Sequence, residues 1–149
     1  MSRTIGYRSI LVPLADNAET DTALDIACRL AAERHCSLTA VAVVEVPAML
    51  PVDAHMPEEE AIAKHLLRRA ETAGDSYGIK VSRRLVRGRD AATAIVEAAG
   101  EATELLVIGA PRSRSRPFGR TTESVLKRAA CRVMLIAAPA QPASVRIAV

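Results

Sequence analysis

Aromatic side chains are almost missing from this 149-residue chain, which has one Phe, two Tyr and no Trp. That scarcity disfavours nucleic-acid readers, which stack bases on aromatic rings. Cysteine is equally thin: Cys28, Cys36 and Cys131 make no CxxC pair and are odd in number. Neither a disulfide framework nor a zinc site follows from them, and a reducing cytoplasm is the expected compartment. No apolar run approaches the roughly 20 residues of a membrane span. The opening "MSRTIGYRS" has no apolar core of the kind a secretory signal needs. His35, His55 and His65 share no metal-ligand spacing, and there is neither a GxSxG elbow nor a GxxxxGK(S/T) phosphate loop. Hydrolase and kinase chemistry therefore have almost no support, and no metal site is expected.

What is present is an aliphatic α/β pattern. Half the residues are apolar and a quarter are charged, with a mild net charge of +3. The length suits one domain with a real core at about residues 7–139 and a short C-terminal tail at 140–149, whether the chain stands alone or is cut from something larger. Apolar runs at Ser9 to Pro13, Ser37 to Val46, Lys80 to Val86, Glu104 to Gly109 and Cys131 to Ala138 read as strands. Between them apolar residues recur at helical spacing, first at Ala23, Leu24, Ala27, Leu30 and Ala31. The pattern returns at Ala63, Leu66, Leu67, Ala70, Ala73 and Tyr77, then at Ala91, Ile95, Ala98 and Ala99, then at Val125, Leu126 and Ala129. Near-continuous aliphatic strands alternating with helices predict a doubly wound, five-stranded parallel sheet with helices on both faces. Ligands of such sheets sit at the carboxyl ends of the strands, which nominates the loops after Val12, Val46, Val86 and Ile108.

Three of those loops carry chemistry. "VIGAPRSRSRPFGRTTES" leads from a strand through Arg112, Arg114 and Arg116 to Gly119, which opens a helix. It is a phosphate cradle, a docking surface or a plain connection. The helix N-terminus supplies backbone N–H groups, Thr121 and Thr122 add hydroxyls, and Arg112 or Arg120 offers bidentate contacts to a phosphate. "VRGRD" brings Arg87 and Arg89 to the same rim, with Asp90 placed as a helix N-cap. "EVPAMLPVDAHMPEEE" is too rich in proline for helix, ends in Glu58, Glu59 and Glu60 suited to a helix's first turn, and is either a lid over the rim or a surface connection.

Laid out in this way, "ILVPLADNAETDTALDIACRLA", "VIGAPR" and "GRTTESVLKRAACRVMLIA" resemble the universal stress protein A family over roughly Tyr7 to Pro139. The resemblance implies the same five-stranded sheet, homodimers paired through the last strand (Cys131 to Ala138), an adenine-nucleotide site in many members, and no enzymatic chemistry. Nucleotide-binding members carry glycine, two residues, glycine, nine residues, glycine, then serine or threonine. Here Gly109 matches the first glycine, Arg112 stands at the second, only six residues separate it from Gly119, and Arg120 replaces the hydroxyl residue. An aspartate that such members place two residues after the first-strand proline is replaced by Ala15, with Asp16 one place late.

The resemblance thus assigns the phosphate to Arg112, Gly119, Arg120, Thr121 and Thr122, a turn to Gly109, and the neighbourhood of the base to Ala15, Asp16 and Val41. A positive φ at Arg112 would cost about 1–2 kcal/mol, which weakens rather than abolishes a micromolar complex worth about 8 kcal/mol. Three missing loop residues remove up to about 10 Å of reach, which favours AMP or a cyclic dinucleotide over ATP. The competing expectation is a ligand-free dimerisation module. Stress-protein domains also occur as cytosolic regulatory appendages of membrane transporters, which "VVEVPAMLPVDA" and "RGRDAATAIVEAA" resemble. Nucleic acid is not an expected partner.

Overall fold

The computed structural model describes residues 8–112 and 118–139. Arg114 and Arg116 of the arginine loop and the tail from residue 140 lie outside the described residues. The order is β1 (Ser9–Pro13), α1 (Ala18–Arg34), β2 (Ser37–Glu45), α2 (Pro57–Ser76), β3 (Val81–Gly88), α3 (Ala91–Ala99), β4 (Leu105–Ala110), α4 (Arg120–Arg128) and β5 (Arg132–Ala137). All neighbouring strands are parallel, in the order β3-β2-β1-β4-β5. This is the doubly wound sheet that the alternating pattern predicts.

Two apolar layers close the sheet. On one face α1 and α2 cover Ile10, Val12, Leu38, Val44 and Leu105, using Ala23, Leu24, Ala27, Ala63, Leu67 and Ala70. Small alanines let these helices lie close to the strands. On the other face α3 and α4 cover Leu11, Val41, Leu106 and Ile108 with Ala92, Ile95, Ala99 and Val125. Because successive strand residues point to opposite faces, one strand feeds both layers, which is why its sequence is apolar at nearly every position.

Local signals set the element ends. Asn17 caps α1, its side chain accepting from the Thr20 amide at 2.7 Å, and His35 closes that helix in the left-handed region at φ 56°. Pro57 starts α2 at a position where no N–H is needed, followed by Glu58, Glu59 and Glu60. Pairing along the sheet is long everywhere except at its centre. β2 and β3 stay in register from Leu38–Val81 to Glu45–Gly88, and β4 and β5 from Leu105–Arg132 to Ala110–Ala137. β1 and β4 pair only at Ile10–Leu105 and Leu11–Leu106. Beyond that point they part, and the winding direction reverses there.

Candidate functional site

The parting of β1 and β4 opens a cleft of about 600 Å³ at the carboxyl ends of the strands. Its size falls within the range of roughly 300–1,000 Å³ usual for small-ligand sites. Pro13 and Leu14 follow from β1, Val43 and Glu45 from β2, and Ile108 and Gly109 from β4. Ile62 and Leu66 of α2 form an apolar wall, and Phe118, Gly119, Arg120, Thr121 and Thr122 form the start of α4.

The first turns of all four helices reach this cleft, that of α2 through Glu59, and side chains cap only α1 and α3. At α1 Asn17 takes the Thr20 amide. At α3 the Asp90 carboxylate accepts from the Thr93 amide at 3.0 Å and from its hydroxyl at 2.6 Å. Glu45 reaches across from β2 to accept from the Ala91 amide at 2.8 Å. These bonds from Thr93, then the nearby Arg128 cation, hold the Asp90 carboxyl below its usual range. At α4 the cap is Gly119, with φ 80° and no side-chain bond among the described residues. The first intrahelical bond runs from the Glu123 amide to the Gly119 carbonyl. The amides of Arg120, Thr121 and Thr122 precede it, carry the positive end of the helix dipole, and face the cleft. Arg120 is exposed beside them, Thr121 half-buried and Thr122 buried.

Of the residues expected at a nucleotide, Ala15, Gly109, Gly119, Arg120, Thr121 and Thr122 line the cleft. Asp16, Val41 and Arg112 do not. The Asp16 side chain lies near Arg69 of α2 at 3.4 Å, where Arg69 also holds both oxygens of Asp21 at 2.8 Å. Val41 is fully buried on the α3 side; its carbonyl accepts from the Leu14 amide beneath the cleft. Arg112 is exposed and, because His35 is the only positive-φ non-glycine among the described residues, carries none of the backbone strain anticipated for it.

Gly109 corrects the expected turn. It lies inside β4, opposite Ile136, and its φ is not positive. Glycine is needed there because a Cβ would stand 2.4 Å from the backbone carbonyl of Glu19 at the start of α1. The expected second basic flank is also corrected. Arg89 donates to the carbonyls of Val46, Pro47 and Leu50, while Arg87 donates to that of Ala54 and pairs with Glu60. Both arginines fasten the β2–α2 connection, and no residue from 46 to 56 lines the cleft. The connection is thus braced, and of the whole stretch from Glu45 to Glu60 only Glu45 and Glu59 line the cleft. Glu45, Glu59, Ile62, Leu66 and Phe118 were not singled out from sequence as site residues. The helical stripe contains Leu66, but Ile62 falls outside it, and its 57% exposure becomes visible only in the folded chain. Cys28 sits in the core, and burial, then the Asp25 charge, pushes its thiol up to about 11.

A parallel sheet with a cleft at its topological switch point defines the ligand-binding class of doubly wound α/β proteins. Within that class residues 6–137 match the model of the universal stress protein family, and the chain belongs to it. A protein of this family from Burkholderia pseudomallei is similar at 29% identity and TM-score 0.69, over 89% of this chain and 97% of that one. The universal stress protein UspA from Lactobacillus plantarum is 25% identical with TM-score 0.72, over 89% and 99%. The universal stress protein from Archaeoglobus fulgidus in complex with dAMP shares the fold at 23% identity and TM-score 0.71, over 87% and 98%. No curated protein matches the chain. Among the described residues no helix is long and apolar enough to cross a membrane.

Proposed function

We propose that this chain is a non-enzymatic regulatory domain of the cytoplasm that binds an adenine nucleotide in the central cleft. The observation that carries this reading is the open N-terminus of α4, with Arg120 beside it, facing a cleft at which α1 and α3 are capped and α2 begins with Glu58, Glu59 and Glu60. Universal stress proteins of this fold occur in complex with dAMP, with cAMP and, from Arabidopsis thaliana, with AMP. The phosphate lies against Gly119, Arg120, Thr121 and Thr122, with the exposed Arg112 able to swing toward it. The base lies over Pro13, Leu14 and Ala15 against the wall of Ile62 and Leu66. Glu45 and Glu59, on the β2 side, accept hydrogen bonds from ribose hydroxyls or the exocyclic amine. Two chains pair through β5, whose outer edge is open in the single chain.

Calorimetric titration with AMP, ATP and cyclic di-AMP tests the reading. Saturable binding that weakens with salt is expected, with AMP or cyclic di-AMP ahead of ATP. Arg120→Ala should weaken it about tenfold or more through loss of a charge-assisted contact, without moving the thermal midpoint of the free domain. The double variant Arg112→Ala/Arg120→Ala should remove it. The position of Asp16, held near Arg69 instead of in the cleft, favours one other reading: a ligand-free dimerisation or interaction module, such as a transporter's regulatory domain. Absence of binding by all three nucleotides, and unchanged affinity in the arginine variants, would each reject the nucleotide site.

A further inference from the structure

Away from the cleft, β3 is the outer strand at one side of the sheet and pairs only with β2. Val81 and Leu85 turn into the α1–α2 core and Val86 into the other, while Ser82, Arg83 and Arg84 are exposed. The outward backbone groups of this strand have no backbone partner among the described residues. Between β3 and α2 runs an open groove of about 720 Å³, lined by Lys64, Leu67, Arg68, Lys80, Ser82 and Arg83 among others. Arg83 pairs with Glu71 at 2.7 Å. Lys64, Arg68 and Lys80 make no ion pair among the described residues.

We propose that this groove docks an extended acidic segment of a protein partner, which adds to β3 as a further strand and sets its carboxylates against Lys64, Arg68 and Lys80. The free edge selects a polypeptide, because only another backbone supplies the alternating donors and acceptors that an open strand lacks. A nucleic acid would use the cations alone, and no aromatic ring lines the groove to stack its bases. The three unpaired cations select acidic side chains. They also reject a second copy of β3, which would bring Arg83 and Arg84 against their own counterparts. Residues 1–7 and 140–149 are no better suited, since they include Arg3 and Arg146 and no acidic residue.

Fluorescence anisotropy at low ionic strength tests this with three labelled probes: an alternating Glu-Val peptide, the same peptide N-methylated at alternate backbone nitrogens, and oligothymidylate. The plain peptide should bind at least about tenfold tighter than either of the others. The double variant Lys64→Glu/Arg68→Glu should weaken it by about tenfold while the thermal midpoint stays put, since both side chains are exposed. Equal binding of the N-methylated peptide or of oligothymidylate would reduce the groove to an unspecific charge patch and overturn the proposal. No binding of the plain peptide would overturn it as well, leaving the cations as guards against edge-to-edge association.

Discussion

Helices α3 and α4 are both nine residues long, lie on the same face of the sheet and start at the same cleft. They begin in opposite ways. α3 starts under two carboxylates, Asp90 from its own chain segment and Glu45 from β2, so its first amides are consumed within the protein. α4 starts at a glycine, whose lack of a side chain leaves the corresponding amides to whatever enters the cleft. Arg128 near the end of α4 donates to Thr93 at 3.0 Å and lies 3.7 Å from Asp90, so the closed end of one helix braces the far end of the other. A buried or semi-buried helix terminus must be satisfied by something. Where the protein satisfies it, the terminus serves the fold; where it does not, the terminus is available to an anion.

The closed ends hold the fold, and disturbing the tightest of them gives the largest effect. In Gly109→Ala the new methyl meets the backbone of Glu19 and Thr20 at 2.4–2.5 Å, and backbone cannot swing aside as a side-chain tip does. We expect a loss of about 3 kcal/mol in equilibrium denaturation, with α1 displaced from β4 and nucleotide affinity altered as a consequence. A variant as stable as the parent would show that α1 docks more loosely than the geometry indicates. A second substitution makes α4 begin as α3 does. Gly119→Asp supplies a capping carboxylate where a phosphate is proposed to sit. It also forces a non-glycine residue to φ 80° and ψ 160°, at a cost of about 1–3 kcal/mol. Nucleotide binding should fall below detection in calorimetry, while the circular dichroism spectrum stays that of the parent. Retained affinity would mean that the open helix end is not where the phosphate lies.

The architecture was legible in the residues because each layer wrote its own period. Val, Ile and Leu run unbroken in β4, and alanine recurs along α1 and α2 at helical spacing. Asp90 as a cap and Gly119 as a helix start were legible for the same local reason, since capping is decided within four residues. Contacts between distant segments were not. A glycine needed for a positive φ and one needed for close approach look identical in a sequence, so Gly109 suggested a turn although it lies in a strand against α1. Arg87 and Arg89 look like free cations until the β2–α2 connection folds back over them and offers its carbonyls. Asp16 faces the cleft or turns away according to where Arg69 falls, 53 residues later. Ile62 is exposed on its helix and becomes a wall only when α2 is set across β2 and β3 and its first turns reach the cleft.

The smallest effect tests the closed end of α3 through its charge. Asp90→Ala removes the carboxylate that accepts from Thr93 and leaves Glu45 on Ala91, so α3 should keep its helix and the thermal midpoint should drop by only a few degrees. The dependence on pH identifies the cause. The Asp90 carboxyl titrates below its usual 3.8 in the folded chain, first because Thr93 donates to it. A depressed folded value means that protons bind the unfolded chain more readily, so this group's contribution is complete above about pH 3.8 and disappears as the pH falls through the folded value. The difference in midpoint between parent and variant should therefore be constant through the neutral range and close on acidification below that point. A difference that persists unchanged in acid would assign the effect to lost packing or to altered Arg128 contacts instead of the ionised cap. In that case the contrast between the two helices would rest on the side chain's shape, and Asp90→Asn, which keeps the shape without the charge, should then behave like the parent at every pH.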